Sequence, residues 1–130
     1  MGQIGKGLCV FVGVGAGDSG RDAEWLAEKI IGLRVFSDDN GKMNLDIRQA
    51  GGSLLIVSQF TLYGDCRKGR RPSYDAAMPP AEARALYDGF VAICSQSGAR
   101  VATGLFQADM DVSIENDGPV TLLLDSKKTF

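Results

Sequence analysis

A run of four large apolar residues at positions 54–57 is the feature that most constrains the fold. It reads Leu-Leu-Ile-Val, and its two β-branched members favour a strand over a helix. Side chains on a strand alternate between its two faces, so four consecutive apolar residues predict a strand that is buried on both faces. A strand of this kind lies in a layered core, and the rest of the chain is expected to cover it.

Polar residues continue this run, with no Gly or Pro to end it. Residues 58–62 read Ser-Gln-Phe-Thr-Leu, and we expect the strand to extend to Leu62. On such a strand Gln59 and Thr61 share one face, while Ser58 and Phe60 share the other. A hydroxyl or an amide at the end of a buried strand needs a partner. That partner is either another group of the protein or a substrate.

The remaining pattern predicts two helices among short strands. Apolar residues recur three and four apart over residues 23–33, where Asp18 or Ser19 can cap the helix, and again over residues 83–94, where Pro80 suits the first helical turn. Cys94 lies on the second apolar stripe and is expected in the core rather than as a nucleophile. Strands are predicted near residues 8–12, 34–36, 43–47 and 101, and then at 112–115 and 120–124, several of them joined as hairpins. We therefore expect one α/β domain over residues 1–130, with a mixed, largely antiparallel sheet and two main helices; residues 127–130 are expected to fray.

Composition excludes several kinds of site. The 130 residues include no histidine, which excludes Ser-His-Asp and Cys-His catalytic sets and removes the commonest zinc ligand. The three cysteines lack ligand-type spacing and fit a reducing cytosol, and no apolar run is long enough to span a membrane. A net charge of −2 gives no overall attraction to nucleic acid. We predict a cytoplasmic protein with no metal and no cofactor.

Two local clusters have both a structural and a functional interpretation. The glycine-rich residues 13–17 follow a predicted strand and resemble a phosphate loop, but no Gly-Lys-Ser/Thr follows, so a strand-to-helix turn is favoured. Residues 67–71 carry four cations in a long segment without periodicity. Such a run is usually a solvated surface. Its position after the polar strand end favours phosphate binding, because arginine side chains suit phosphate oxygens.

Taken together, the motifs resemble the D-aminoacyl-tRNA deacylase family, which strips D-amino acids from mischarged tRNA. The resemblance is carried by Ser-Gln-Phe-Thr-Leu at 58–62 and by Asn-Asp-Gly-Pro-Val-Thr at 116–121, which alone is an ordinary turn signal. Residues 5–8, 41–45, 67–73 and 106–110 extend it over about residues 5–126. It implies hydrolysis of the ester bond of D-aminoacyl-tRNA, and of glycyl-tRNA mischarged on tRNA(Ala), as proofreading.

The resemblance also assigns residues to four parts of a site. The catalytic residues would be Ser58, Gln59, Phe60 and Thr61. The filter that rejects L substrates, a Gly-cisPro turn, would be Gly118, Pro119, Val120 and Thr121. The tRNA would bind Arg67, Lys68, Arg70 and Arg71. The terminal adenosine would contact Phe106, Ala108 and Met110.

Two mechanisms are open at this stage. In one, Thr61 attacks the ester with help from an unidentified group. In the other, the ribose 2′-OH of the substrate orients water, and backbone N–H groups near Phe60 and Thr61 stabilise the oxyanion. The absence of histidine favours the second mechanism.

The family resemblance implies a close homodimer in which the Gly-Pro loop of one subunit enters the active site of the other. The expected partner is tRNA, and neither DNA nor a membrane is expected. Family members usually begin with a further strand, so either the start site is misassigned or this is a shortened member, and a shortened member is expected to have an exposed sheet edge. The main alternative is a truncated, non-catalytic RNA- or partner-binding member of the same fold. Weaker alternatives are a related animal enzyme that acts on L-alanyl-tRNA, whose first motif differs, and a nucleotide-binding enzyme that uses residues 13–17.

Overall fold

A computed structural model describes residues 2–130. The strands are β1 (Gly7–Val12), β2 (Phe36–Ser37), β3 (Met43–Leu45), β4 (Ser53–Ser58) and β5 (Arg100–Thr103). The helices are α1 (Gly20–Gly32) and α2 (Pro80–Gln96), and a 3₁₀ turn covers Phe60–Tyr63. The prediction of a mixed α/β fold with two main helices is confirmed.

The central sheet is parallel, and the prediction of a largely antiparallel sheet is wrong. Its strand order is β1-β4-β5, and both neighbouring pairs run parallel. The reason lies in the connections, because a helix separates β1 from β4 and another separates β4 from β5, as parallel pairing requires. Among the strand pairs of residues 2–130, the short pair β2-β3 is the antiparallel one.

The middle strand β4 forms the centre of the core, as the apolar run predicts. Leu54 and Ile56 are fully buried and Val57 is nearly so. The cluster around them includes buried side chains of both helices, among them Ile30, Phe90 and Cys94. Burying so many aliphatic groups supplies most of the stability of such a layer, at roughly 25 cal/mol per Å² of apolar area.

Both helices begin where the sequence predicts. Ser19 is the N-cap of α1, and its backbone N–H donates to the Asp22 carboxylate at 2.8 Å. That bond is the largest of the causes that lower the pKa of Asp22 to about 2. Pro80 opens α2, and Gly98 follows its end with a φ of 95°, a conformation that favours glycine.

The interior of α2 confirms the structural interpretation of Cys94. Its side chain is fully buried, and burial raises the pKa of the thiol to about 11. A thiol that stays protonated at neutral pH is a poor nucleophile. Nearby, the Tyr87 hydroxyl donates to the carbonyl oxygen of Ile56 at 3.2 Å, which ties α2 to the middle strand.

The C-terminal region departs from prediction in two places. Residues 112–115 and 120–124 form no strand, although the sequence predicts one in each. An apolar-polar alternation becomes a strand only where a neighbouring strand pairs with it, and no strand of residues 2–130 does so. The sequence also predicts a frayed end at residues 127–130, but Lys127 pairs with Asp22 at 3.1 Å. Within the described chain, neither helix is long and apolar enough to cross a membrane.

Candidate active site at the carboxyl edge of the parallel sheet

Three loops leave the parallel sheet at the same edge. Val12 at the end of β1 is in register with Ser58 at the end of β4, and Thr103 at the end of β5 is in register with Ile56. The segments that follow, residues 13–17, 59–64 and 104–110, therefore begin at the same edge. Crevices outside the carboxyl ends of parallel strands are common ligand sites in α/β folds.

The 3₁₀ turn Phe60–Tyr63, called here the strand-end turn, replaces the predicted extension of the strand to Leu62. Gln59 makes the last ladder bond, since its N–H donates to Val12 O at 2.8 Å. β1 ends at Val12, so the chain has no partner for further pairing on that side and turns. The predicted alternation of faces is consequently wrong, and both Phe60 and Thr61 are exposed.

The strand-end turn presents two backbone donors. Its first internal bond runs from Leu62 N–H to Gln59 O at 3.3 Å. In residues 2–130, no acceptor is bonded to the N–H groups of Phe60 and Thr61, as expected at the start of a helical turn. Two neighbouring donors at the end of a buried strand are suited to an oxygen that gains negative charge.

The glycine loop, residues 13–17, packs against the strand-end turn. A Cβ atom on Gly15 would lie 2.5 Å from the Tyr63 hydroxyl oxygen, and one on Gly13 would lie 3.2 Å from the Tyr63 ring. The Gly15 N–H donates to Asp18 Oδ2 at 2.8 Å, and the N–H of Ala16 donates to Ala76 O at 2.8 Å. With these donors occupied internally, the interpretation as a strand-to-helix turn is favoured over a phosphate loop.

The predicted tRNA-binding cations lie on an exposed loop, called here the basic loop (residues 65–73). Asp65 and Ser73 close it through two backbone hydrogen bonds of 2.7 and 2.9 Å. The Arg67 guanidinium donates to both oxygens of Asp65, at 2.9 and 2.6 Å, and holds the pKa of that carboxyl at about 2. Arg67 is therefore already paired, whereas Lys68, Arg70 and Arg71 make no ion pair with any residue from 2 to 130.

An aromatic contact brings the basic loop next to the strand-end turn. Tyr74, directly after the loop, packs edge-on against Phe60 with ring centroids 5.1 Å apart. Neither Tyr74 nor the pairing of Asp65 with Arg67 was predicted from the sequence. The spacing Asp-x-Arg was an available signal for the ion pair, while the Tyr74 contact spans 14 positions and leaves no local pattern.

Residues 104–110 bring two of the three predicted pocket residues to the same edge. Phe106 is half-buried against Tyr87, with centroids 5.6 Å apart, and the Arg84 guanidinium lies 5.6 Å from the Phe106 ring. Met110 contacts Gly104, where an added Cβ would lie 2.6 Å from its sulfur. Ala108 is exposed. An open depression of about 330 Å³ is lined by Asp109, Met110 and Asp111.

Hydrogen bonds between its own residues fix the conformation of the predicted chirality filter. We call residues 116–121 the Gly-Pro loop. Its Gly118-Pro119 bond is cis, and Gly118 has a φ of 123°. The Asn116 side chain accepts from the Val120 N–H and donates to the Thr121 hydroxyl, both at 3.1 Å. The loop is exposed, and none of the hydrogen bonds described for residues 2–130 joins it to the strand-end turn.

Comparison with known proteins gives consistent results. The profile of the family described as D-Tyr-tRNA(Tyr) deacylase matches residues 1–125. A "D-aminoacyl-tRNA deacylase" of Desulfotalea psychrophila is 59% identical over 130 residues, covering all of this chain and 87% of the relative. One of the same name from Thermosipho africanus is 60% identical over 130 residues, with the same coverage.

Solved structures agree on the fold. A "c-Myc DNA Unwinding Element Binding Protein" superposes with a TM-score of 0.85 at 37% identity, over 92% of this chain and 81% of that one. A "probable eukaryotic D-amino acid tRNA deacylase" has a TM-score of 0.72 at 18% identity, over 88% and 82% of the two chains, and shows the fold alone. The profile match and the curated relatives establish the family: the chain belongs to the D-Tyr-tRNA(Tyr) deacylases.

Proposed function

We propose that this chain hydrolyses the ester bond that joins a D-amino acid to the terminal adenosine of tRNA. Family membership makes it an aminoacyl-tRNA hydrolase. The observation that carries the proposal is the strand-end turn, where the Phe60 and Thr61 N–H groups have no acceptor within residues 2–130. The middle strand β4, which is the most deeply buried element, holds that turn at the carboxyl edge of the sheet.

The protein contributes electrostatic stabilisation, and the nucleophile is water rather than a side chain. Water attacks the ester carbonyl carbon, and the carbonyl oxygen takes up the negative charge of the tetrahedral intermediate. The N–H groups of Phe60 and Thr61 donate to that oxygen. The bond to the ribose oxygen then breaks, and the ribose oxygen takes a proton. One such donor is typically worth about 10²–10³ in rate.

Thr61 is not the nucleophile in this proposal. A threonine hydroxyl needs a neighbouring base to lose its proton, and the chain has no histidine. The Thr61 hydroxyl is also exposed on the turn rather than fixed by a buried partner. The 2′-OH of the substrate ribose, which lies next to the scissile ester, orients the attacking water instead.

Selectivity for D substrates is assigned to the Gly-Pro loop. Its backbone is fixed by the two hydrogen bonds of Asn116, and no bulky side chain at Gly118 covers the main chain. Main-chain atoms placed against the α-carbon of the substrate would collide with an L side chain and leave room for a D side chain, which is specificity by exclusion. Glycine has no side chain, so glycyl-tRNA mischarged on tRNA(Ala) is a second substrate of this proposal.

A second copy of the chain is proposed to complete the site. Residues 111–123 are exposed and carry several large apolar side chains: Val112, Ile114, Val120, Leu122 and Leu123. Leu123 alone is 71% exposed. An apolar segment that no strand of residues 2–130 covers is typical of an interface. In the proposed homodimer, the Gly-Pro loop of one subunit faces the strand-end turn of the other.

The tRNA is proposed to bind along the basic loop, in the cytoplasm. Lys68, Arg70 and Arg71 lie on an exposed loop that Tyr74 anchors beside the strand-end turn. Phe106 and Met110 line the same edge and are proposed to contact the terminal adenosine, with Ala108 on the surface next to them. One relative at 37% identity is named for DNA binding, so duplex DNA belongs in any binding experiment as a competitor.

The test is deacylation of D- and L-tyrosyl-tRNA(Tyr), prepared as a matched pair and followed as release of labelled amino acid. The proposal predicts enzyme-dependent hydrolysis of the D form with the L form unchanged. Glycyl-tRNA(Ala) is measured in parallel. Binding of both tRNAs without hydrolysis of either would support the alternative, a non-catalytic RNA-binding member of the fold.

A further inference from the structure

The C-terminal tail, residues 125–130, folds back against the start of α1 instead of fraying. The Lys127 ammonium lies 3.1 Å from Asp22 and 3.8 Å from Asp18. Lys128 lies 6.0 Å from the Trp25 ring. The Asp125 carboxylate accepts from the Lys127 N–H at 2.9 Å and from the Thr129 hydroxyl, which turns the tail toward the helix.

These contacts lead from Lys127 to the strand-end turn in three steps. Asp18, which Lys127 approaches, accepts the Gly15 N–H at 2.8 Å and so fixes the glycine loop. Gly15 in turn lies directly against the Tyr63 hydroxyl, since a Cβ there would be 2.5 Å away. Tyr63 is the last residue of the turn that presents the Phe60 and Thr61 N–H groups.

The surroundings of Tyr63 are acidic, and Lys127 is the cation that lies against them. Burial raises the pKa of the Tyr63 hydroxyl, and the charges of Asp18, Asp125 and Asp22 raise it further. Lys127 contacts Asp18 and Asp22, whereas the neighbouring Lys128 and Lys29 lie over the Trp25 ring. Removing Lys127 would leave the carboxylates of Asp18 and Asp22 without the cation that they share, and like charges repel.

We propose that Tyr63 is a positioning residue for the strand-end turn, and that Lys127 sets the position of Tyr63 through Asp18 and the glycine loop. This inference rests on the proposed function for its effect on rate, but not for its effect on structure. Neither side chain touches the substrate. Both act by holding the Phe60 and Thr61 donors where the oxyanion forms, and small displacements of reacting groups reduce rate strongly.

The first measurement is the kinetics of D-tyrosyl-tRNA deacylation by Lys127→Ala, Lys127→Arg and Lys128→Ala. We expect Lys127→Ala to lower kcat by about threefold to tenfold with KM unchanged, because the donors shift while the tRNA contacts do not. Lys127→Arg keeps the charge and should restore most of kcat. Lys128→Ala is the matched control, since it removes the same charge one residue away without touching the carboxylates, and its kcat should stay at the parent value. Equal reductions of kcat in the two alanine variants would overturn the proposal.

The second measurement asks whether Lys127 acts through Tyr63. Tyr63→Leu removes the ring that contacts the glycine loop, and it should lower kcat by itself. If Lys127 works through this ring, adding Lys127→Ala to Tyr63→Leu should change kcat no further. Multiplication of the two effects on kcat would show that Lys127 affects the rate by another route.

The third measurement does not depend on activity. Amide hydrogen exchange should be faster in Lys127→Ala than in Lys128→Ala at residues 13–17 and 60–64, because the loosened loop opens more often. Identical exchange in the two variants would contradict the proposal even if the rates differed. A parent chain with no deacylase activity would instead contradict the proposed function, and exchange would still decide this inference.

Discussion

The strand-end turn and the Gly-Pro loop carry the two most distinctive motifs of this chain, yet they are held in opposite ways. The turn continues the most buried strand and is fixed by Gln59 N–H to Val12 O at 2.8 Å and by the packing of Tyr63 on the glycine loop. The Gly-Pro loop lies in an exposed segment, and the bonds described for it are those from Asn116.

This difference has a functional interpretation. A group that must stabilise developing charge needs a position fixed by the core, because its donors act only at a defined distance. A loop that excludes one enantiomer needs only to contact the substrate, and a second subunit can supply such a loop. In the proposed homodimer, hydrolysis is therefore assigned to the strand-end turn of one chain, and selectivity to the Gly-Pro loop of the second chain.

The sharpest way to break this assignment is to remove one backbone donor from the turn. Phe60 is the first residue of the 3₁₀ turn and follows Gln59, which at φ −145° and ψ 92° lies outside the α region that a following proline disfavours. Phe60→Pro removes the N–H and should lower kcat by about 10²–10³. Phe60→Leu keeps the N–H and is the control for the ring. Equal activity in the two variants would show that the donor plays no part.

A smaller effect is expected from loosening the Gly-Pro loop. Asn116→Ala removes both 3.1 Å hydrogen bonds. Each is worth about 1 kcal/mol, so the ratio of D to L hydrolysis should fall by about tenfold or more. The rate with D-tyrosyl-tRNA should change less than this ratio. Asn116→Asp keeps the acceptor for the Val120 N–H and should lie between parent and alanine. A reduced rate at constant selectivity would assign this loop to hydrolysis instead.

The basic loop lies next to the strand-end turn, because Tyr74 packs on Phe60. Replacing Lys68, Arg70 or Arg71 by Ala should each weaken tRNA binding, and the slope of log K against log salt should fall by about 0.7–0.9 for each phosphate that the variant no longer neutralises. Arg67→Ala should change that slope less, since Asp65 already pairs with Arg67. Filter binding at several salt concentrations, with duplex DNA as competitor, measures this. A larger slope change for Arg67 than for its neighbours would contradict the account.

The smallest effect is expected at the side chain most easily mistaken for a nucleophile. Thr61→Ala leaves the backbone N–H in place and should keep kcat within about threefold of the parent, because the hydroxyl has no base to activate it. Single-turnover deacylation of D-tyrosyl-tRNA measures this. A decrease as large as that of Phe60→Pro would make Thr61 a direct participant.

The sequence predicts the core of this fold better than its edges. The buried run at 54–57, the cap at Ser19, the helix start at Pro80 and the burial of Cys94 follow from local periodicity and local chemistry, and all are found. Strand direction does not follow, because it depends on the route of a whole connection. Short alternating runs therefore predict antiparallel hairpins, whereas the main strands are linked through helices and pair in parallel.

The candidate site shows the same limit. The motifs predict candidate residues, but they also predict a strand where the strand-end turn lies. The cause of the bend is elsewhere in the chain: β1 stops, and Gly13 and Gly15 make room for Tyr63. The tail is predicted to fray because nothing local in residues 127–130 reveals Asp18 and Asp22 more than 100 positions away. Contacts between distant segments carry no local signal.

The most direct test is whether one active site combines the strand-end turn of one chain with the Gly-Pro loop of another. Phe60→Pro disables the turn, and Gly118→Ala disables the loop, because a Cβ at Gly118 would lie 2.7 Å from the Val120 side chain at a φ of 123°. Each variant carries a different tag, so that the heterodimer can be isolated. If the halves come from different subunits, the one intact turn faces the one intact loop, so the heterodimer should hydrolyse D-tyrosyl-tRNA at about half the parent rate and reject the L form, which Gly118→Ala alone should accept. A heterodimer that hydrolyses the L form as readily, relative to the D form, as Gly118→Ala does, or a chain that forms no dimer, would contradict the account.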